Sequence, residues 1–201
     1  MAYRETQQVL DRKQARHQSL LRSAEALVRD GGFAALTMQA VANSSGMAVG
    51  TVYRYFPNKE ALAAAVFQSA TEREVAAVEE ALGRRAPPAE RLADAVRNFA
   101  ERAFAAPEFA WALIAEPVDS SVDRARLRYR QRYTELFAAV IDEGVRAGQF
   151  VSRYPSFAAA ALVGAMAESL LGPLKHPEQP QLLIAELESL CLRALGHSKL
   201  D

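Results

Sequence analysis

The stretch from Thr37 to Leu62, TMQAVANSSGMAVGTVYRYFPNKEAL, constrains the fold more than any other part of the chain. Thr37 can N-cap a short helix from Met38 to about Asn43, because its hydroxyl accepts a bond from the free amides of a first turn. A turn at Ser44, Ser45 and Gly46 follows, then a second short helix from about Val49 to Arg54. Pro57 blocks continuation, and Asn58 caps a long helix that runs to about Leu82 before Gly83. Two short helices about a glycine-containing turn have the form of a helix-turn-helix. Ala40 and Val41 face the core of that unit, Gly46 permits the turn, and Val52 and Phe56 pack the second helix down.

What remains outward is suited to DNA. Thr51, Tyr53 and Tyr55 offer hydroxyls, Arg54 and Lys59 offer cations, and Gly50 lets the backbone approach a groove wall. Residues 1–62 carry 8 Lys and Arg against 5 Asp and Glu, in a chain of zero formal net charge. That excess is compatible with a nucleic-acid footprint and too small to establish one.

The run from Gly46 to Lys59, ending in an aromatic pair, a proline, a capping residue and a lysine, resembles the TetR family of bacterial regulators. The resemblance implies that Thr37, Tyr53 and Lys59 contact phosphates and that Val49, Gly50, Thr51 and Arg54 read bases, with Gln39 a neighbour. Ala48 departs from the pattern by standing where the family often has a capping Ser or Thr, and a lost cap costs about 0.5 to 2 kcal/mol. The specific resemblance covers Ala15 to Leu62; beyond it only length, helix count and apolar terminal helices agree.

The expected fold is all-α, with about nine helices. Residues 1–12 read as a flexible arm, 13–60 as the helix-turn-helix head, and 61–201 as an effector-binding and dimerisation domain. The first helix, about Lys13 to Asp30, repeats Leu20, Leu21, Ala24, Leu27 and Val28 at three- and four-residue spacing and stops at Gly31 and Gly32. The 40 alanines and the sparse β-branched residues support helix throughout. Later helices are expected at about Arg91–Ala105, around Phe109 to Ile114, Ser121–Ala147, Pro155–Leu171 (stopped by Gly172 and Pro173) and Gln181–Leu195. The last two are apolar nearly all round, which requires burial on several sides. By resemblance they build a four-helix interface with a second copy, and Phe157, Leu162, Leu170, Leu183, Leu187 and Leu190 supply its apolar surface. The two recognition helices should then sit roughly 34 to 36 Å apart on a near-palindromic operator.

Aromatic residues gather mid-chain, and Phe99, Phe104, Phe109, Trp111, Tyr133 and Phe137 are candidate walls for an effector cavity. Helix seven carries Arg124, Arg126, Arg128, Arg130 and Arg132 at every second position. Taking Arg124 as zero, Arg126 and Arg130 fall near 200° and 240° on the helical wheel, in the sector of Tyr133, Phe137 and Ile141. Two cations therefore face inward and need partners. They can pair with carboxylates such as Glu108, Glu116 or Glu168, or with the acidic group of a small-molecule effector whose apolar part lies on Trp111, Phe104 and Phe137.

An enzyme has little support. His17, His176 and His197 are scattered, no zinc pattern or phosphate loop occurs, and Cys191 on a Leu-rich helix reads as core, so neither a cofactor nor a metal is expected. A DNA-binding architectural protein is the other rival, and about 120 residues beyond the head exceed what dimerisation alone requires. The longest apolar run, Phe157 to Ala167, has 11 residues, short of the about 20 of a spanning helix. A soluble cytoplasmic repressor, released from double-stranded DNA by a small effector, is the expectation.

Overall fold

Capping residues and proline placement divide the chain into its helices. The computed structural model describes residues 7–176 and 178–197. Its elements are α1 (Gln7–Gly31), a 3-10 turn (Phe33–Ala35), α2 (Met38–Ser45), α3 (Val49–Tyr55), α4 (Lys59–Leu82), α5 (Pro88–Ala105), α6 (Pro107–Ile114), α7 (Ser120–Arg146), α8 (Pro155–Lys175) and α9 (Pro180–Ala194). No strand occurs among the described residues. Thr37 Oγ1 accepts from the Ala40 amide at 3.0 Å and Asn58 Oδ1 from that of Ala61 at 2.8 Å, so the expected caps start α2 and α4. Four later helices carry a proline in their first turn, where its missing N–H costs nothing.

Two boundaries depart from expectation. α1 begins at Gln7, so residues 7–12 are helical rather than part of an arm, and residues 1–6 lie outside the described residues. α8 runs through Gly172 and Pro173 to Lys175. Its last turn is held by Leu174, which is buried in the core, and that tertiary contact offsets the hydrogen bond that Pro173 removes.

Two apolar clusters organise the packing. The first joins Leu20, Val28, Leu36, Val41, Val52 and Leu62 of the α1–α4 region to Phe109 and Ala112 of α6 and Val122 and Ala125 of α7. The second holds Leu92, Val96, Phe137, Ile141, Leu162 and Leu195, drawn from α5, α7, α8 and the cap of α9. α4 serves both, giving Val66 and Phe67 to the first and Val78 and Leu82 to the second. α6 and the start of α7 thus sit in the core of the head although the chain reaches them only after α5.

α8 alone among the described helices is long and apolar enough to cross a bilayer by composition, yet only 28% of its most apolar window is buried within the subunit. Phe157 on α8 and Leu182 and Leu190 on α9 are exposed. The end of α7 is sealed by Phe150, whose ring fills the place of a missing side chain at Gly144: a Cβ there would lie 2.1 Å from Phe150 Cδ2. Gly144→Ala is therefore expected to lower stability by about 1 to 3 kcal/mol through overpacking, read as a lower urea midpoint with an unchanged slope.

Candidate nucleic-acid interface and internal cavity

α3 presents one face to the core and one to solvent. Val52 and Phe56 are buried, whereas Val49, Gly50, Tyr53 and Arg54 are exposed, with Thr51 half-buried beside them. Gly46 adopts φ 67° at the end of α2, a left-handed conformation that glycine reaches without strain. Thr37 and Gln39 are exposed at the start of α2, and Lys59 is exposed in the first turn of α4. Thr37 uses an oxygen lone pair for its cap, which leaves its hydroxyl proton free to donate. Gln39 donates to Asn43 Oδ1 at 2.9 Å. Tyr55 departs from the outward set: it is half-buried, packed on the head core with its ring centroid 6.1 Å from that of His17. No side chain caps α3 at Ala48, and Arg12, Lys13 and Arg16 are further exposed cations on α1.

A cavity of about 270 Å³ lies behind the head, walled by α4, α5, α6, α7 and α8 and touched by Arg29 of α1. Six expected residues line it: Phe99, Phe109, Arg126, Arg130, Tyr133 and Phe137. Phe104, Trp111 and Glu168 do not. α6 turns Phe109, Ala110, Leu113 and Ile114 to the cavity, which places Trp111 on its other side, where Lys175 Nζ lies 6.0 Å from the ring centroid. Phe104 packs half-buried on the body core, and Glu168 is exposed on α8. Thr71, Glu74, Arg102, Met166 and Phe67 were not expected in the lining. Phe67, Thr71, Glu74 and Val78 recur at helical spacing on α4, so the periodicity of that helix was the signal available for them.

The polar groups of the lining differ in how far they are already used. Arg102 grips Glu74 through two bonds of 2.7 Å each. Burial pushes the Tyr133 phenol far above its usual range, so it stays neutral. The Thr71 hydroxyl is buried without a hydrogen-bond partner among the described residues. Arg126, with only 11% of its side chain exposed, donates to the carbonyls of Leu113 at 3.0 Å and Ala112 at 2.8 Å and pairs with Asp123 at 2.9 Å. Desolvation lowers its pKa, with Asp123 opposing, and a guanidinium stays charged regardless. Arg130 lines the cavity from an exposed position and forms no ion pair among the described residues.

The helical phase expected for α7 agrees with the burial of the Arg126 side chain and of Phe137 and with the half-burial of Tyr133, but Arg130 is exposed rather than buried, and none of Glu108, Glu116 and Glu168 pairs with Arg126. Its partners are the last carbonyls of α6, where a cation also opposes the helix dipole. Glu116 is instead buried in the joint between head and body, accepting from the amides of Phe33 at 2.7 Å and Ala34 at 3.0 Å. Among the expected interface residues, Phe157 and Leu190 are exposed and Leu183 is half-buried. Leu162, Leu170 and Leu187 are buried inside the subunit, so charge placed at Leu187 would break this core before it reached any partner.

Residues 20–66, which contain α2, α3 and the adjoining parts of α1 and α4, match the profile described as bacterial regulatory proteins, tetR family, and residues 85–170 match the tetracyclin repressor-like C-terminal domain. The chain belongs to the TetR family. Over 44 residues it is 48% identical to the HTH-type transcriptional repressor KstR of Rhodococcus jostii, a match covering 22% of this chain and 21% of that relative. The chain thus matches about a fifth of the length of this curated relative. The fold is shared with FadR from Bacillus subtilis in complex with stearoyl-CoA (TM-score 0.76, 17% identity, 91% of this chain and 100% of that one). A putative TetR-family regulator from Mesorhizobium loti shares it as well (TM-score 0.77, 18% identity, 96% and 98%).

Arg126 and Arg130 of this TetR-family chain both line the cavity and should respond differently to substitution. Arg126→Met leaves two α6 carbonyls without their donor and is expected to cost about 1 to 3 kcal/mol, as for buried acceptors left unpaired, whereas the exposed Asp123 turns to water. Arg130→Met should stay within about 0.5 kcal/mol of wild type. Thermal unfolding followed by circular dichroism separates the two.

Proposed function

We propose that the chain is a cytoplasmic, homodimeric transcriptional repressor that grips a near-palindromic operator with two copies of α3 and leaves it when an amphiphilic anion enters the cavity. One observation carries the reading: a short helix with exposed Val49, Gly50, Tyr53 and Arg54 stands on a core whose other wall is α6, and α6 also lines an apolar cavity with an unpaired arginine at its edge. The repressor name of the matched relative and the acyl thioester held by the B. subtilis FadR support the two halves of that reading.

The lining selects for ligand charge. It holds Arg29, Arg102, Arg126 and Arg130 against one carboxylate, Glu74, so a cationic ligand meets repulsion and an anion finds Arg130 free to fork onto it. Phe99, Phe137, Val163 and Met166 then take the apolar part, and the unpartnered Thr71 hydroxyl offers one hydrogen bond along it. Dodecanoate should bind and lower operator affinity, dodecyltrimethylammonium should do neither, and Arg130→Met should erase the difference without changing operator affinity. Equal binding of both surfactants to the wild type would defeat this choice of ligand.

At the head, Lys59→Ala is expected to weaken binding to all DNA alike and to reduce the salt slope by about one, whereas Arg54→Ala should cost about 1 to 3 kcal/mol at particular bases and relax the preference there. Selection of DNA fragments by each variant at two salt concentrations tests the assignment, which fails if Lys59→Ala alters the preferred bases.

The uncovered face of α8 supports the dimer, because an apolar helix left open in the subunit needs a partner surface. Gly164 lies on that helix, exposed, with open space where a side chain would begin. Gly164→Arg should therefore leave subunit folding intact while producing a monomer in light scattering, and operator affinity should fall by about 100-fold because one head reaches one half-site. A dimeric Gly164→Arg protein would place the interface elsewhere.

A further inference from the structure

Among the described residues Glu116 is the most deeply buried charged residue, and it joins the body to the 3-10 turn of the head. Glu116 lies two residues beyond the end of α6, and its carboxylate takes both free amides at the start of the turn, from Phe33 at 2.7 Å and Ala34 at 3.0 Å. Gly32 is shaped to it. That residue sits at φ 66°, and a Cβ there would lie 2.7 Å from Glu116 Oε2. The turn leads through Leu36, fully buried in the head core, to Thr37, the cap of α2. A displacement of Glu116 is therefore applied to the turn three residues before the cap of α2.

The other end of the same connection is the cavity wall. Arg126 holds the carbonyls of Ala112 and Leu113, two and one residues before the last residue of α6, and Phe109 of the same helix lies 4.3 Å beneath the guanidinium carbon of Arg29 on α1. Phe109, Leu113, Arg29 and Arg126 all line the cavity. Only Ala115 separates the end of α6 from Glu116, so a ligand that presses on α6 bears on that carboxylate, and a carboxylate drawn from two amides in a buried site loses charge-assisted bonds.

We propose that Glu116 is the positioning residue through which cavity occupancy reaches the DNA-binding head: empty, the cavity leaves its carboxylate on the Phe33 and Ala34 amides and the head is held; filled, α6 shifts and the head is released. This rests on the repressor reading above and adds the path of the signal. Glu116→Gln keeps the size of the side chain and removes its charge. It should bind dodecanoate as tightly as wild type while operator affinity ceases to respond to dodecanoate, a loss of at least tenfold in the ratio of affinities.

A second arm needs no ligand. Ala110→Phe fills the cavity from α6, and operator affinity is measured for wild type, Ala110→Phe, Glu116→Gln and the double variant, with melting temperatures confirming that each is folded. Filling the cavity should weaken operator binding only while Glu116 can be withdrawn, so the double variant should bind at least fivefold better than the product of the single effects. Multiplicative effects, or a Glu116→Gln protein that dodecanoate still releases, overturn the proposal. A wild type that fails to bind dodecanoate overturns the choice of ligand class and leaves the cycle to decide on Glu116. Should Glu116→Gln melt below the assay temperature, Glu116→Asp, which keeps the charge and shortens its reach, takes its place in the same cycle.

Discussion

The structure depends on how two charges are kept in the joint where α6 ends. Arg126 and Glu116 are both largely buried and both serve that helix end, Arg126 by reaching its last carbonyls from α7 and Glu116 from two residues beyond it, yet neither neutralises the other through a direct bond. Each is satisfied mainly by backbone: Arg126 by the carbonyls that the end of α6 leaves unpaired, Glu116 by the amides that the start of the 3-10 turn leaves unpaired. An α-helix ends with orphan acceptors and a 3-10 turn begins with orphan donors, so placing a cation at one and an anion at the other closes both accounts at a single junction. Breaking either side leaves a buried charge and buried backbone groups uncompensated together, which is why the junction holds one geometry firmly.

That junction explains the division of the apolar core. Phe109 and Ala112 of α6 belong to the cluster of the head, whereas the cavity on the other side of α6 opens into the body. α6 is only eight residues long and acts as a wall shared by two rooms. It packs on the head core from one side and lines the cavity from the other. α4 is the other shared element, but it is 24 residues long, capped at its start and buried in both clusters. The short helix is the more easily displaced of the two, since less apolar surface must be given up to move it.

The head was legible in the sequence because its determinants are local. Thr37, Gly46, Pro57 and Asn58 act within four residues of themselves, and each does so in the structure as its chemistry requires. The phase of α7 was legible for the same reason: a helical wheel needs only spacing. Long-range partners were not. Glu116 and Phe33 lie 83 residues apart, and the carbonyls that hold Arg126 have no side-chain signature at all. Apolar pattern likewise fails to say whether a leucine meets its own subunit or another: Leu162, Leu170 and Leu187 proved internal, while the weakly patterned Gly164 and the expected Phe157 lie on the open face. The stop expected at Pro173 failed because Leu174, one residue on, finds a core to enter.

The central claim is that filling the cavity repositions the two heads, and the distance between them tests it most directly. Cys191 is fully buried and its thiol is pushed up to about 12 by burial, so it stays unreactive to labels while Ser44→Cys, exposed on α2, takes a spin label in each subunit. Pulsed electron-electron resonance on the dimer then reads the label separation with operator, without ligand, and at saturating dodecanoate. A narrow distribution shared by the operator-bound and ligand-free protein, displaced when dodecanoate binds, is the predicted result. Superimposable distributions in all three samples, with dodecanoate shown to be bound, would contradict it.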